Sequence, residues 1–147
     1  EIKGTTYYFL FGWDGNDLWS KKKLIEVMYF NNEGKPVFGA PMFELEDDKT
    51  VNRFIMEFRG DATETLNYSS EEKMIVLDHL IAPEDRLNDL QFTFIPDGSY
   101  SGFKWKKGKW RFVEKLKVNA IGEFDKPPVP KPVNFEKEKK DMKSRIK

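Results

Sequence analysis

Residues 99–118, SYSGFKWKKGKWRFVEKLKV, decide the fold. They read as two strands joined by a tight turn at Lys107-Gly108. A loop of even length places Trp105 opposite Trp110 and Phe103 opposite Phe112. A three-residue loop would set the same aromatics against Lys109 and Arg111. A slip of one residue sends every side chain to the other face, so the pattern selects the even loop. One face of the hairpin is then aromatic. The other sets Lys104 against Arg111 and Lys106 against Lys109, and like charges directly opposite cost roughly 0.2–1 kcal/mol per pair. That basic face invites acidic neighbours, either from this chain or from a partner.

The rest of the body repeats the pattern. Residues 5–11 (TTYYFLF) are β-branched and aromatic. They run into the turn signal Gly12-Trp13-Asp14-Gly15-Asn16-Asp17. Residues 23–30 (KLIEVMYF) are apolar on both faces, which predicts a central strand covered on both sides. Residues 36–38 and 41–46 are short edge candidates interrupted by proline. Residues 51–59 and 62–68 alternate, and residues 74–81 (MIVLDHLI) are again apolar on both faces. Residues 82–90 (APEDRLNDL) predict one short helix, with Pro83 near its start. Residues 91–95 predict a strand and Pro96-Asp97-Gly98 a turn. The expectation is an all-β domain, an antiparallel meander of about eight or nine strands arranged as a sandwich or a closed barrel, over residues 1–122.

From residue 123 the composition changes. Residues 124–133 (FDKPPVPKPV) hold four prolines and predict an extended polyproline linker. Residues 135–147 are charged and helix-prone, with Phe135, Met142 and Ile146 on one side at helical spacing. The stripe is too thin to fold alone. The tail carries 8 basic and 5 acidic residues and the body 17 and 20, so a neutral total conceals an acidic body and a basic tail.

Composition excludes several chemistries. With no cysteine, disulfides, thiolate zinc sites, iron–sulfur clusters and cysteine nucleophiles are all ruled out. The longest apolar run, residues 7–11, falls far short of the ~18 residues of a membrane span. Asp14, Asn16 and Asp17 are candidate ligands for a hard cation. An EF-hand loop begun at Asp14 fails, however, with Trp19 where glycine is needed and Ile25 where the bidentate glutamate belongs. A turn held by its own side chains explains these residues better. His79 is the only histidine, and Asp78 beside it on a strand points to the opposite face. The stretch Gly98-Ser99-Tyr100-Ser101-Gly102 has tyrosine where a nucleophile elbow needs serine. No phosphate loop or dinucleotide fingerprint occurs, so no cofactor is expected. Nucleic acid is not the expected partner either, because the hairpin's lysines and its stacking aromatics lie on opposite faces.

Four groups of residues carry a resemblance. They are Gly12-Trp13-Asp14-Gly15-Asn16 with Lys21-Lys22, Gly34-Lys35-Pro36-Val37-Phe38-Gly39, Asp78-His79-Leu80 before Ala82-Pro83, and Lys106-Lys107-Gly108-Lys109-Trp110. With them the body resembles exported, β-rich envelope proteins of Bacteroidota, a group without an assigned chemistry. The resemblance implies an exported protein, periplasmic or associated with the outer membrane, serving as an accessory subunit of an envelope assembly. The functional expectation is therefore a non-enzymatic domain that binds a protein partner. Lys104, Lys106, Lys109 and Arg111 would form one contact, and Phe135, Met142 and Ile146 of the tail a second. The alternatives are a barrel carrying a small apolar ligand and a polysaccharide hydrolase with paired carboxylates.

Overall fold

The computed structural model describes residues 1–116. Their ten strands are β1 (Tyr7–Asp14), β2 (Ser20–Phe30), β3 (Pro36–Phe38), β4 (Phe43–Glu44), β5 (Thr50–Val51), β6 (Arg53–Arg59), β7 (Leu66–Ser69), β8 (Met74–Ile81), β9 (Ile95–Lys106) and β10 (Lys109–Val113). They form two sheets, neither closed on itself, so the all-β expectation holds in its sandwich form. In the first sheet β1 covers one side of β2, while β3 and β6 share the other side end to end. The second sheet runs β5-β4-β10-β9-β8-β7.

The β9–β10 hairpin has the even loop. Trp110 pairs with Trp105, Phe112 with Phe103, Arg111 with Lys104 and Lys109 with Lys106. Lys107 and Gly108 both have positive φ, 52° and 80°, as a two-residue turn matched to strand twist requires. Phe103 is fully buried and Trp110 nearly so. They join the two sheets. Phe103 lies 4.9 Å from the Phe54 ring of β6, and the Phe9 ring of β1 lies 5.8 Å from Trp110 and 6.1 Å from Phe43. Ile25, Val27, Met56 and Phe58 from one sheet meet Phe43, Leu66, Ile75 and Leu77 from the other in a single apolar cluster.

Four local expectations change. Strand β2 is not covered on both sides among the described residues: Ile25 and Val27 are fully buried, but Phe30 on its other face is 49% exposed. The helix expected over residues 82–90 is instead a 3-10 turn at Asp85–Leu87 that buries no side chain and has no side-chain cap. Without an apolar face to dock, the cost of nucleating a helix is not recovered. Residues 91–93 form a second 3-10 turn rather than the start of a strand.

The fourth change concerns Pro96-Asp97-Gly98, which forms a bulge inside β9, not a turn between strands. Leu80 pairs with Pro96 and Asp78 with Tyr100, so residues 97–99 stand opposite His79 alone. Gly98 supplies the positive φ of 84° that the extra chain needs. One pair is also not antiparallel: Trp110 and Arg111 of β10 run parallel to Phe43 and Glu44 of β4.

Candidate functional site

The two sheets part at β1. Inner-facing Tyr7 and Phe9 look across a cleft of about 670 Å³ at Tyr68, Ile75, Trp105 and Trp110 of the second sheet. Alternation along β1 turns Tyr7, Phe9 and Phe11 inward and Tyr8 and Leu10 outward. All five of these consecutive residues line the cleft, so it wraps the edge of the strand. β1 pairs only with β2, and the backbone on its other side makes no hydrogen bond among the described residues. An open strand edge is a template for another strand.

The cleft is walled by rings in edge contact. Trp105 lies 5.1 Å from Trp110 and 5.9 Å from Phe9, and Tyr68 lies 6.3 Å from Trp110. Trp105 is nevertheless 42% exposed, unlike its neighbour Phe103. The hairpin's aromatic face is thus divided, with one end built into the core and the other forming a wall of the cleft. Trp110 Nε1 is buried without an acceptor among the described residues. A buried donor left unpaired costs about 1–3 kcal/mol.

The outer face of the first sheet continues this apolar surface around β1. Register sets Tyr8 beside Met28 and Phe38, and Gly12 beside Leu24 and Ile55. The ion pair of Glu26 with Arg53, at 3.1 Å, interrupts them. Apolar patches of this kind, rimmed by charge, mark interaction surfaces.

Of the basic residues expected to meet a partner, two are engaged within the chain. Arg111 forms an ion pair of 3.0 Å with Glu44, which the parallel β4–β10 register places beside it. Lys109 Nζ donates to Thr50 Oγ1 at 3.3 Å. Lys104 and Lys106 are exposed, with no ion pair among the described residues. Phe135, Met142 and Ile146 lie outside the described residues.

The residues considered as cation ligands serve their own loop. Asp14 Oδ1 accepts from the Asn16 amide at 2.9 Å, and Asp17 Oδ1 accepts from the amides of Trp19 and Ser20 at 2.7 and 2.8 Å. Those two amides hold the Asp17 carboxyl below the usual carboxylate range. Among the described residues no three His, Cys, Asp or Glu side chains gather as a metal site.

His79 and Asp78 point apart, as alternation requires. His79 Nδ1 lies 2.9 Å from Asp97 of the bulge, while Asp78 accepts from the Thr65 amide. Asp97 also accepts from the Ser99 hydroxyl and amide, at 2.7 and 2.9 Å. These bonds, with a smaller contribution from His79, hold its pKa at about 2. Ser99 therefore bonds the carboxylate, not the imidazole, and no Ser–His pair forms there.

One polar cluster escapes sequence reasoning. Glu64 is 3% exposed, and neither carboxylate oxygen has a hydrogen-bond partner among the described residues. Burial pushes its pKa up to about 7, the nearby charge of Asp78 adds to the rise, and Lys23 opposes it. Lys23 Nζ donates to the Glu64 backbone carbonyl, and its own pKa is lowered by burial. Glu64 lines a small recess with Trp13, Lys21 and Phe58, separate from the aromatic cleft. These groups come from β2, β8 and the β6–β7 connection, and no spacing in the chain links them.

No described helix is long and apolar enough to cross a membrane, which says nothing of strands. Comparison with protein-family models, with curated proteins and with solved structures returned no match to this chain.

Proposed function

We propose that this chain is a non-enzymatic binding domain that takes an extended peptide segment of a protein partner along the open edge of β1. The observation that carries this reading is the aromatic cleft wrapped around a strand edge that is unpaired among the described residues. Backbone hydrogen bonds to such an edge give affinity, and alternate side chains dropping into a pocket give specificity. In this reading Trp105 and Tyr68 grip the inward side chains, while Tyr8 and Leu10 receive the outward ones. Lys104 and Lys106 are left as a peripheral contact. The resemblance to exported envelope proteins supports a partner within an envelope assembly; fractionation of the native cells tests that location.

Selection of random twelve-residue peptides on the immobilised full-length chain tests the binding reading. Enriched peptides are expected to lose at least tenfold in affinity on Trp105→Ala. Recovery of no peptide sensitive to that substitution refutes it. A second reading is a small apolar ligand, because the cleft's volume suits one. The closed barrel first considered for such a carrier is not the architecture, so the ligand would sit in the open cleft. An apolar fluorophore displaced by a selected peptide would place both in the same cleft.

A further inference from the structure

We infer that residues 127–133 of this chain, PPVPKPV, are themselves a ligand of the β1 edge, pairing along it as a strand that ends the sheet. The inference rests on the peptide-binding reading and names an occupant for it. These residues lie outside the described ones, so the argument comes from their sequence and from the shape of the acceptor.

In an extended strand the N–H and C=O of a residue point to one edge, and those of the next residue to the other. Proline recurs at positions 128, 130 and 132. Three of the segment's four missing donors therefore fall on one edge, and only Pro127, at its start, lacks one on the other. Val129, Lys131 and Val133 keep their N–H groups, and all three point to the opposite edge. Such a segment can donate to one neighbouring strand and no further. Proline is confined to edge strands for this reason, and edges so blunted resist further pairing. The pattern that prevents the segment from lying inside a sheet suits it to closing one.

The same period sorts the side chains. With Val129, Lys131 and Val133 paired to β1, the three alternating proline rings share one face. The free N–H and C=O groups of β1 belong to inward-facing Tyr7, Phe9 and Phe11. A segment paired parallel to β1 therefore turns the proline rings inward to meet Tyr7, Phe9, Tyr68 and Trp105. Aromatic-lined grooves are the usual receptors of proline-rich segments. Val129, Lys131 and Val133 then share the outer face with Tyr8 and Leu10. The seven residues match the eight of β1 in length.

The connection is long enough. Leu116 donates its amide to Tyr100 of β9. Trp105 stands five residues further along that strand, roughly 17 Å away at about 3.4 Å per residue. The eleven residues from Leu116 to Pro127 span up to ~36 Å extended. The segment reaches its own cleft, so a partner's peptide would have to displace it.

Amide hydrogen exchange of the full-length chain tests this, read at the alternate β1 amides not bonded to β2. In the wild type those amides are protected at all protein concentrations. The double substitution Val129→Pro with Lys131→Pro removes donors facing β1 and speeds their exchange at least tenfold. Pro130→Ala adds a donor on the far edge and leaves it unchanged. Unprotected alternate amides in the wild type, or equal exchange in both variants, overturn the inference. Protection that grows with protein concentration also overturns it, in favour of a second copy as donor. If the wild-type amides are open but a selected peptide protects them, only this inference fails and the peptide-binding reading stands.

Discussion

Phe103→Ala removes the ring at the centre of the sandwich. Phe103 is fully buried, with the rings of Phe54, Phe43 and Phe112 at 4.9, 5.4 and 5.4 Å. Truncating a buried phenylalanine costs about 3–5 kcal/mol, combining lost transfer free energy with the cavity left behind. The edge-to-face partners from both sheets place this site near the upper end, since each such pair adds about 0.5–1.5 kcal/mol. A domain's whole stability is about 5–15 kcal/mol, so the substitution removes a third or more of it. With a urea slope of about 2 kcal/mol/M, the unfolding midpoint falls by roughly 2 M at unchanged slope. Trp105→Ala, two residues along on the same face, removes a side chain already 42% exposed and costs no more than about 2 kcal/mol. A midpoint shift below about 0.5 M for Phe103→Ala, or a larger loss for Trp105→Ala, would refute the division of the hairpin into core and cleft.

Further outcomes follow from named contacts. A Cβ at Gly102 would stand 2.4 Å from the Ile75 carbonyl oxygen and 2.7 Å from Met74 Cε, so Gly102→Ala costs about 3 kcal/mol or more in chemical denaturation. Lys107 sits at φ 52° before a glycine, so Lys107→Asn raises stability by about 0.5 kcal/mol in the same assay. The Glu64 carboxyl is raised from 4.5 to about 7 in the folded state. Between those values the native state holds a proton that the unfolded state has lost, so stability falls as pH rises. The fall is about 1–3 kcal/mol and levels off above pH 7. Denaturation at pH 5 and pH 8 measures it, and Glu64→Gln flattens the difference. Asp17→Ala frees the Trp19 and Ser20 amides, which should exchange faster while calcium leaves the wild-type melting temperature unchanged.

The hairpin was legible in the sequence because a period of two and a turn of fixed length leave one register that segregates aromatics from cations. The Asp14–Asp17 loop was legible for a similar reason, since short polar side chains close on amides two or three residues away. What escaped depends on contacts without local period. Glu44 meets Arg111 through a parallel pair of strands 67 positions apart in the chain, one of them only two residues long. The dipeptide signals of Pro96-Asp97-Gly98 look the same for a turn and a bulge, and only the pairing of β8 across it decides. The cleft was least legible: Trp105 and Phe103 have the same alternation, and their exposures diverge because the sheets separate toward β1. Glu64 was invisible because Lys23 of β2 and Asp78 of β8 reach it from segments that no spacing in the chain links.

The central claim is that the cleft at β1 holds a peptide, and the affinity of a selected peptide for three full-length proteins tests it most directly. The wild type, Trp105→Ala and Trp19→Ala differ in which tryptophan is lost, and Trp19 is 74% exposed on the loop before β2, outside the cleft. The account predicts at least a tenfold loss with Trp105→Ala and none with Trp19→Ala. Equal affinity for the wild type and Trp105→Ala, or a loss confined to Trp19→Ala, would contradict it.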